Sequence, residues 1–298
     1  MMVRRKESAV ALGIYEKALP GNTNWEQFFA AARQAGFSFV DLSIDESQER
    51  LARLDWDYQQ RQLVREAAKN SGIRLGGICL SAHRGIMPGS QDAQMRQRAL
   101  DLYYKAIDFC VDLGIPVVQV AGYFAYYEPA SPEARERYLE VLAQALPYAE
   151  QRGIILAIEN VDGNDLAAIP DAMEVLKELP SPWLQIYPDI GNIAEHGGDA
   201  TTELAAGENH MVAIHVKDVL PGQPRRIPLG EGVADFPAAF AELARQRWSG
   251  RVMLEMWNDD SPDSIDKCVA GREWLQARLR EAGITVISPE TFQRGSEQ

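Results

Sequence analysis

Four short apolar runs end in residues that can move a proton or hold a cation. "ILAIE" ends in Glu159, "LQIYPD" in Asp189, "MVAIH" in His215 and "VMLE" in Glu255. Taken singly, each has an ordinary explanation. An acid after a strand makes turns or caps helices, and a lone histidine in an apolar run is often a satisfied core residue. Taken together, they put three carboxylates and an imidazole at matching positions on four successive runs. Burying three uncompensated carboxylates side by side is costly. One divalent cation removes that cost, and three oxygens with one nitrogen suit Zn2+, Mn2+, Mg2+ or Co2+. If Glu159 and Glu255 each keep a free oxygen, they can serve as an acid/base pair. A ketose carbonyl polarised by the metal acidifies the neighbouring C–H; one glutamate removes that proton and the other returns one from the opposite face. That is epimerisation. Aldose–ketose isomerisation and metal-assisted hydrolysis use the same groups, and the spacing does not separate the three.

Groups so far apart in sequence need a scaffold that brings strand ends together. Apolar runs at 9–15, 37–44, 75–83, 116–122, 154–160, 184–189, 211–218 and 251–257 read as strands. Between and after them lie helical stretches at 24–34, 58–70, about 92–113, 132–151, 171–179, 201–206, 235–246 and 264–281. In the first helix Trp25, Phe28, Phe29 and Ala32 share one face. Glycines at 36, 72, 114, 153 and 250 precede strands, as helix-terminating residues do. The strand runs are continuously apolar, which is expected when helices cover the sheet. Eight strand–helix pairs without a Ser/Pro/Gly-rich linker predict a single (β/α)8 TIM barrel over 1–298, with a core at about 9–283 and short tails. An open doubly wound sheet would want a glycine-rich phosphate loop after its first strand, and "GIYEKALPG" is not one. In a barrel of this kind the site lies at the C-terminal strand ends, where the four residues fall.

Further polar residues are expected on that rim as substrate contacts: Ser81, His83 and Arg84 after the third strand, Lys217 two residues beyond His215, Asn192, and Trp257 as a wall with Tyr123. Arg225 and Arg226 could face an anion, and the amides of "LGEG" (229–232) could hold one. His196 and His210 read as surface residues.

The net charge of −13 argues against a nucleic-acid partner, since the longest basic clusters are Arg4-Arg5-Lys6, read as a frayed start, and Arg225-Arg226. Three scattered cysteines, Cys79, Cys110 and Cys268, without a CxxC pair, read as reduced residues of a cytoplasmic protein. Neither a signal peptide nor a membrane span is expected.

"AIEN", "YPDIGN", "IHVKD" and "LEMW" resemble the xylose-isomerase-like barrel superfamily of sugar epimerases. More narrowly, "LGIYEKALP", "RLARLDW", "CLSAHR", "VQVAGY" and "GEGVADF" resemble the L-ribulose-5-phosphate 3-epimerase family, from about residue 11 to 282. The resemblance implies interconversion of L-xylulose 5-phosphate and L-ribulose 5-phosphate in L-ascorbate or pentose breakdown, one metal held by Glu159, Asp189, His215 and Glu255, a small sugar phosphate as partner and a homodimer. Related free-sugar epimerases carry histidine and arginine where this chain has Asn192 and Lys217, which fits a different, phosphorylated substrate. The rivals are another isomerase or epimerase of the superfamily, such as a hexulose-6-phosphate isomerase, a sugar-binding barrel without turnover, and an AP-endonuclease-like phosphodiesterase. The last would need more histidines than the four present.

Overall fold

A computed structural model describes residues 8–21 and 23–294; the basic cluster at residues 4–6 lies outside the described residues. In chain order the strands are β1 (Ala9–Tyr15), β2 (Phe39–Ser43), β3 (Arg74–Leu80), β4 (Val117–Ala121), β5 (Ile155–Glu159), β6 (Leu184–Ile186), β7 (Ala213–Val216), β8 (Asp218–Leu220), β9 (Gln223–Ile227), β10 (Gly250–Leu254) and β11 (Thr285–Val286). The helices are α1 (Trp25–Gln34), α2 (Gln48–Leu51), α3 (Tyr58–Asn70), α4 (Ala93–Leu113), α5 (Ala134–Arg152), α6 (Ile169–Glu178), α7 (Ile190–Glu195), α8 (Ala200–Ala206), α9 (Phe236–Gln246), α10 (Ser264–Glu281) and α11 (Pro289–Arg294).

Eight parallel strands run in the order β6-β5-β4-β3-β2-β1-β10-β7. The ring is nearly closed. Its last joint, β6 to β7, holds by two isolated parallel bridges, Ile186 with Met211 and Asp189 with His215. The fold is thus a (β/α)8 barrel whose thinnest seam lies between two of the candidate ligands.

Helix ends follow local chemistry. Asn24 accepts from the Gln27 amide to start α1, and Asp57 and Gln60 form a reciprocal cap on α3. Gly114 and Gly153 end α4 and α5 in the left-handed conformation at φ 70°. Gly250 does not play that part. Arg247 takes the left-handed cap of α9 at φ 54°, and Gly250 instead leaves room for the Trp248 ring, 2.6 Å from where its Cβ would sit.

Two apolar layers build the core. The larger lies between barrel and helices and includes Phe28, Phe29, Val64, Leu100, Leu142 and Leu243. The smaller fills the lumen with side chains from every barrel strand or its end: Ala11, Tyr15, Phe39, Cys79, Val117, Ala157, Tyr187, Ala213 and Met253. Side chains two residues on in a strand point to the same face. The next lumen layer up therefore contains Gln119, Glu159, Asp189, His215 and Glu255, each two positions beyond an apolar lumen residue. All three cysteines are free and buried. No helix among the described residues is long and apolar enough to cross a membrane.

An alanine at Gly153 would meet only ordinary contact, Trp183 at 3.9 Å, so its cost is backbone strain alone. Gly153→Ala is expected to lower unfolding free energy by about 1 kcal/mol, partly offset by the stiffer unfolded chain. Urea unfolding checks this; unchanged stability would contradict the left-handed cap.

Candidate functional site

Glu159, Asp189, His215 and Glu255 converge: each offers a ligand atom, and these atoms lie within 4.8 Å of one another. Strand position explains it. Glu159 is the last residue of β5, His215 lies in β7 paired with Met253, and Glu255 follows β10 directly. Asp189 faces His215 across the seam.

The cluster is dry. The Asp189 side chain is fully buried, and those of Glu159 and Glu255 are 12% exposed. His215 Nδ1 lies 2.6 Å from Glu159 Oε1, and Gln119 Nε2 donates to Glu159 Oε2 at 2.5 Å. The buried Lys217 ammonium lies 2.6 Å from Asp189 Oδ2 and 3.2 Å from Glu255 Oε2. Burial pushes the Asp189 carboxyl up; Lys217 opposes this, but Glu255 and Glu159 add to it. Burial disfavours the charged His215 ring, yet the Glu159, Glu255 and Asp189 carboxylates outweigh it and push the ring up to about 9. Burial also opposes charge on Glu255, but Lys217 and His215 hold it below the usual carboxylate range.

Asp189 does two jobs. Its Oδ1 accepts from the amides of Gly191 and Asn192 at 2.7 and 3.2 Å and so caps α7. Its Oδ2 is left for the cluster. Asn160 locks the segment, accepting from the Asp189 amide at 2.8 Å and donating to its carbonyl at 3.1 Å.

The chemistry of this donor set fits a divalent cation. Three carboxylates and an imidazole meet in the buried lumen against, among the described residues, the ammonium of Lys217, an excess of negative charge that one metal would balance.

A cavity of about 70 Å3 opens onto the cluster at the C-terminal strand ends. Ser81, Arg84, Asn192, Lys217, Trp257 and Tyr123 all line it. Arg84 packs against the Tyr123 and Tyr126 rings at 5.1 and 5.2 Å, and its buried Nε has no hydrogen-bond partner. Asn192 spends its amide on the Asn160 carbonyl at 2.8 Å.

His83 is not brought there. Strand β3 ends at Leu80, and Ser81–Arg84 form a 3-10 turn. Residues three apart share a face in such a turn, so Ser81 and Arg84 face the cavity while His83 turns into the core. It packs on Tyr103 at 4.3 Å and meets the Ala99 carbonyl at 3.1 Å; burial pulls its ring down to about 4. The "LGEG" amides are also taken: Gly230 and Gly232 donate to Asp218 Oδ2 at 2.8 and 2.9 Å. The anion they hold is internal. Arg225 lines the cavity paired to Asp162 at 2.6 Å, whereas Arg226 faces an adjoining cavity of about 520 Å3. His196 is exposed; His210 is half-buried against Gln185.

Lys17, Gln119 and Asp162 also line the site and went unnoticed in the sequence. Gln119 was findable as the one polar residue in "VVQVA"; Lys17 follows β1 in a 3-10 turn, where no strand period points to it.

The Xylose isomerase-like TIM barrel family matches residues 29–278. L-ribulose-5-phosphate 3-epimerase UlaE of Shigella sonnei (strain Ss046) is 41% identical over 274 residues, 92% of this chain and 96% of that protein. The chain belongs to the L-ribulose-5-phosphate 3-epimerase family of the xylose isomerase-like TIM barrels. Another member of this family, UlaE of Escherichia coli O157:H7 (strain EC4115 / EHEC), is 40% identical over 275 residues, 92% of this chain and 97% of that protein. Among solved structures, an L-ribulose 3-epimerase shares the fold with a TM-score of 0.78 at 17% identity, covering 92% of this chain and 95% of that one. Family membership supports an epimerase.

A ring nitrogen must lose its proton before it can ligate a metal. His215 holds its proton up to about pH 9 in the metal-free protein. Apparent Mn2+ affinity should therefore rise with pH, by up to about tenfold per unit, and level off above that value. Calorimetric titrations at several pH values check this. A flat profile would exclude His215 as a ligand.

Proposed function

We propose that this protein inverts carbon 3 of a ketopentose 5-phosphate, interconverting L-xylulose 5-phosphate and L-ribulose 5-phosphate. The observation that carries the reading is the pair Glu159 and Glu255 in one buried cluster, on strands separated by β6 and β7. Relatives about 40% identical over 92% of the chain bear the name of that activity, which supports the substrate.

In this reading Glu159, Asp189, His215 and Glu255 hold one divalent cation, Zn2+, Mn2+, Mg2+ or Co2+. When bound, the cation polarises the ketose carbonyl and stabilises the negative charge that develops beside it. One of the two glutamates takes the carbon-3 proton on a carboxylate oxygen. The other, protonated, delivers a proton to the opposite face. Each direction of reaction exchanges their roles, and no electrons leave the substrate. Gln119 orients Glu159 by donating to its Oε2. Lys217 bridges Asp189 and Glu255 and favours the ionised form of Glu255 in the direction in which it takes the proton. Trp257, edge-on to Tyr15 at 6.5 Å, helps exclude water. Ser81 and Asn192 contact sugar hydroxyls. Arg84, stacked on two tyrosines at the cavity wall, binds the phosphate, aided by Lys17 and Arg225. The reading takes the chain as one barrel domain, working as a cytoplasmic homodimer on a small sugar phosphate, with no nucleic-acid or membrane partner.

Incubation of the metal-loaded protein with L-xylulose 5-phosphate in D2O should wash out the carbon-3 proton as L-ribulose 5-phosphate appears, followed by NMR. Glu159→Gln and Glu255→Gln should each lose about 10²–10⁴-fold in kcat. Exchange only with free ketoses would replace this substrate by an unphosphorylated one; no exchange with any ketose would sink the acid/base roles.

Arg84→Ala should raise KM for the phosphorylated ketose by about tenfold or more while a free ketose is little affected. Equal effects on both would remove Arg84 from the phosphate.

A further inference from the structure

Asp41 is another buried acid in the lumen, two residues beyond Phe39 and outside the residues that line the cavity. The strand around it is built to hold a carboxylate. The β2–β3 ladder slips between Val40 and Asp41, the kind of irregularity that re-aims a side chain. On β3, Gly76 and Gly77 leave the space: a Cβ would lie 2.5 Å from Asp41 Oδ1 at the first and 3.0 Å from Oδ2 at the second. The Tyr187 hydroxyl donates to Oδ2 at 2.7 Å. Oδ1 is buried with no hydrogen-bond partner.

His215 presents the complementary defect. Its Nδ1 is turned to Glu159, while its Nε2 is buried and has no hydrogen-bond partner. Asp41, Cys79 and His215 each offer an atom within 4.8 Å of the others. The Tyr187 ring packs on the His215 ring at 4.2 Å, so one tyrosine touches both orphaned groups. Two unpaired polar atoms on neighbouring residues in the same buried core are an expensive coincidence unless they serve one another.

We propose that Asp41 is the positioning residue of His215: its Oδ1 takes the Nε2–H, directly or through one water, and so turns the Nδ1 lone pair to the Glu159–Asp189–Glu255 cluster. The proposal rests on the metal-binding reading above. A neutral imidazole has one N–H and one lone pair, and a carboxylate on the N–H side fixes which nitrogen is which. It also makes the ligating nitrogen more basic. The acid reaches the ring from β2, on the far side of the barrel from the four ligand-bearing strand ends. The ligand's orientation is thereby set by a strand that contributes nothing to the cavity.

The test uses the full chain. Asp41→Asn keeps an acceptor for Tyr187 and removes the charge. Mn2+ binding should weaken by about 10–100-fold, with the thermal unfolding of the metal-free protein little changed. Wild-type Mn2+ affinity in the variant would overturn the proposal. Wild-type protein that binds no Mn2+ or Zn2+ at all would sink the metal reading itself, and the proposal with it. A second readout needs no variant: in Zn2+-loaded wild type labelled with 15N-histidine, one ring should show a protonated Nε2 and a metal-shifted Nδ1. The opposite tautomer would overturn the assignment.

Discussion

Charge burial governs this molecule. Three carboxylates and an imidazole sit largely buried at the C-terminal end of the lumen, and among the described residues the ammonium in contact with them is that of Lys217. Left alone, such a set repels itself and resists burial. Much of the surrounding structure answers that problem. Gln119 and the Gly191 and Asn192 amides each satisfy one carboxylate oxygen. Asn160 pins the Asp189 backbone from both sides. The imidazole shares its Nδ1 with Glu159. What remains is an excess of negative charge converging on one point, which is the condition a divalent cation meets.

The barrel supplies the rigidity. The apolar lumen layer, with Phe39, Tyr187 and Met253, is a close-packed floor on which the polar layer stands. Because side chains alternate along a strand, the floor fixes which residues form the next layer. A one-residue slip of any strand would exchange lumen for helix-facing side chains, which couples the site's geometry to the whole ladder.

Most of that ladder was legible in the sequence. Eight continuous apolar runs gave the strands, and the residues ending four of them gave the cluster, because position along a strand is a one-dimensional property. What stayed hidden depended on three dimensions. The β8–β9 hairpin has an exposed, polar second strand, "QPRRI", with no apolar period to reveal it. Helix α7 is only six residues long and exists because Asp189 caps it. His83 follows its strand closely, but the chain tightens into a 3-10 turn where the two-residue alternation no longer applies. The "LGEG" amides looked free for a ligand because Asp218, their acceptor, is twelve residues before Gly230. Asn192 and Lys217 were singled out in the sequence, and the structure shows where each is committed: the Asn192 amide donates to the Asn160 carbonyl and Lys217 lies against the acids.

The seam ties these points together. Strands β6 and β7 are the least paired neighbours in the barrel, held by two bridges, and one of those joins Asp189 to His215. The His215 amide donates to the Pro188 carbonyl at 2.8 Å across the same joint. Two of the residues that would hold a cation, Asp189 and His215, are therefore also among those that close the ring. Glu159 on β5 and Glu255 after β10 flank the seam on either side. A cation shared by all four would tie β5, β6, β7 and β10 at the one place where backbone hydrogen bonds are fewest. Binding energy of that kind goes to the native barrel and not to the unfolded chain, so metal affinity and closure of the fold are two faces of one equilibrium.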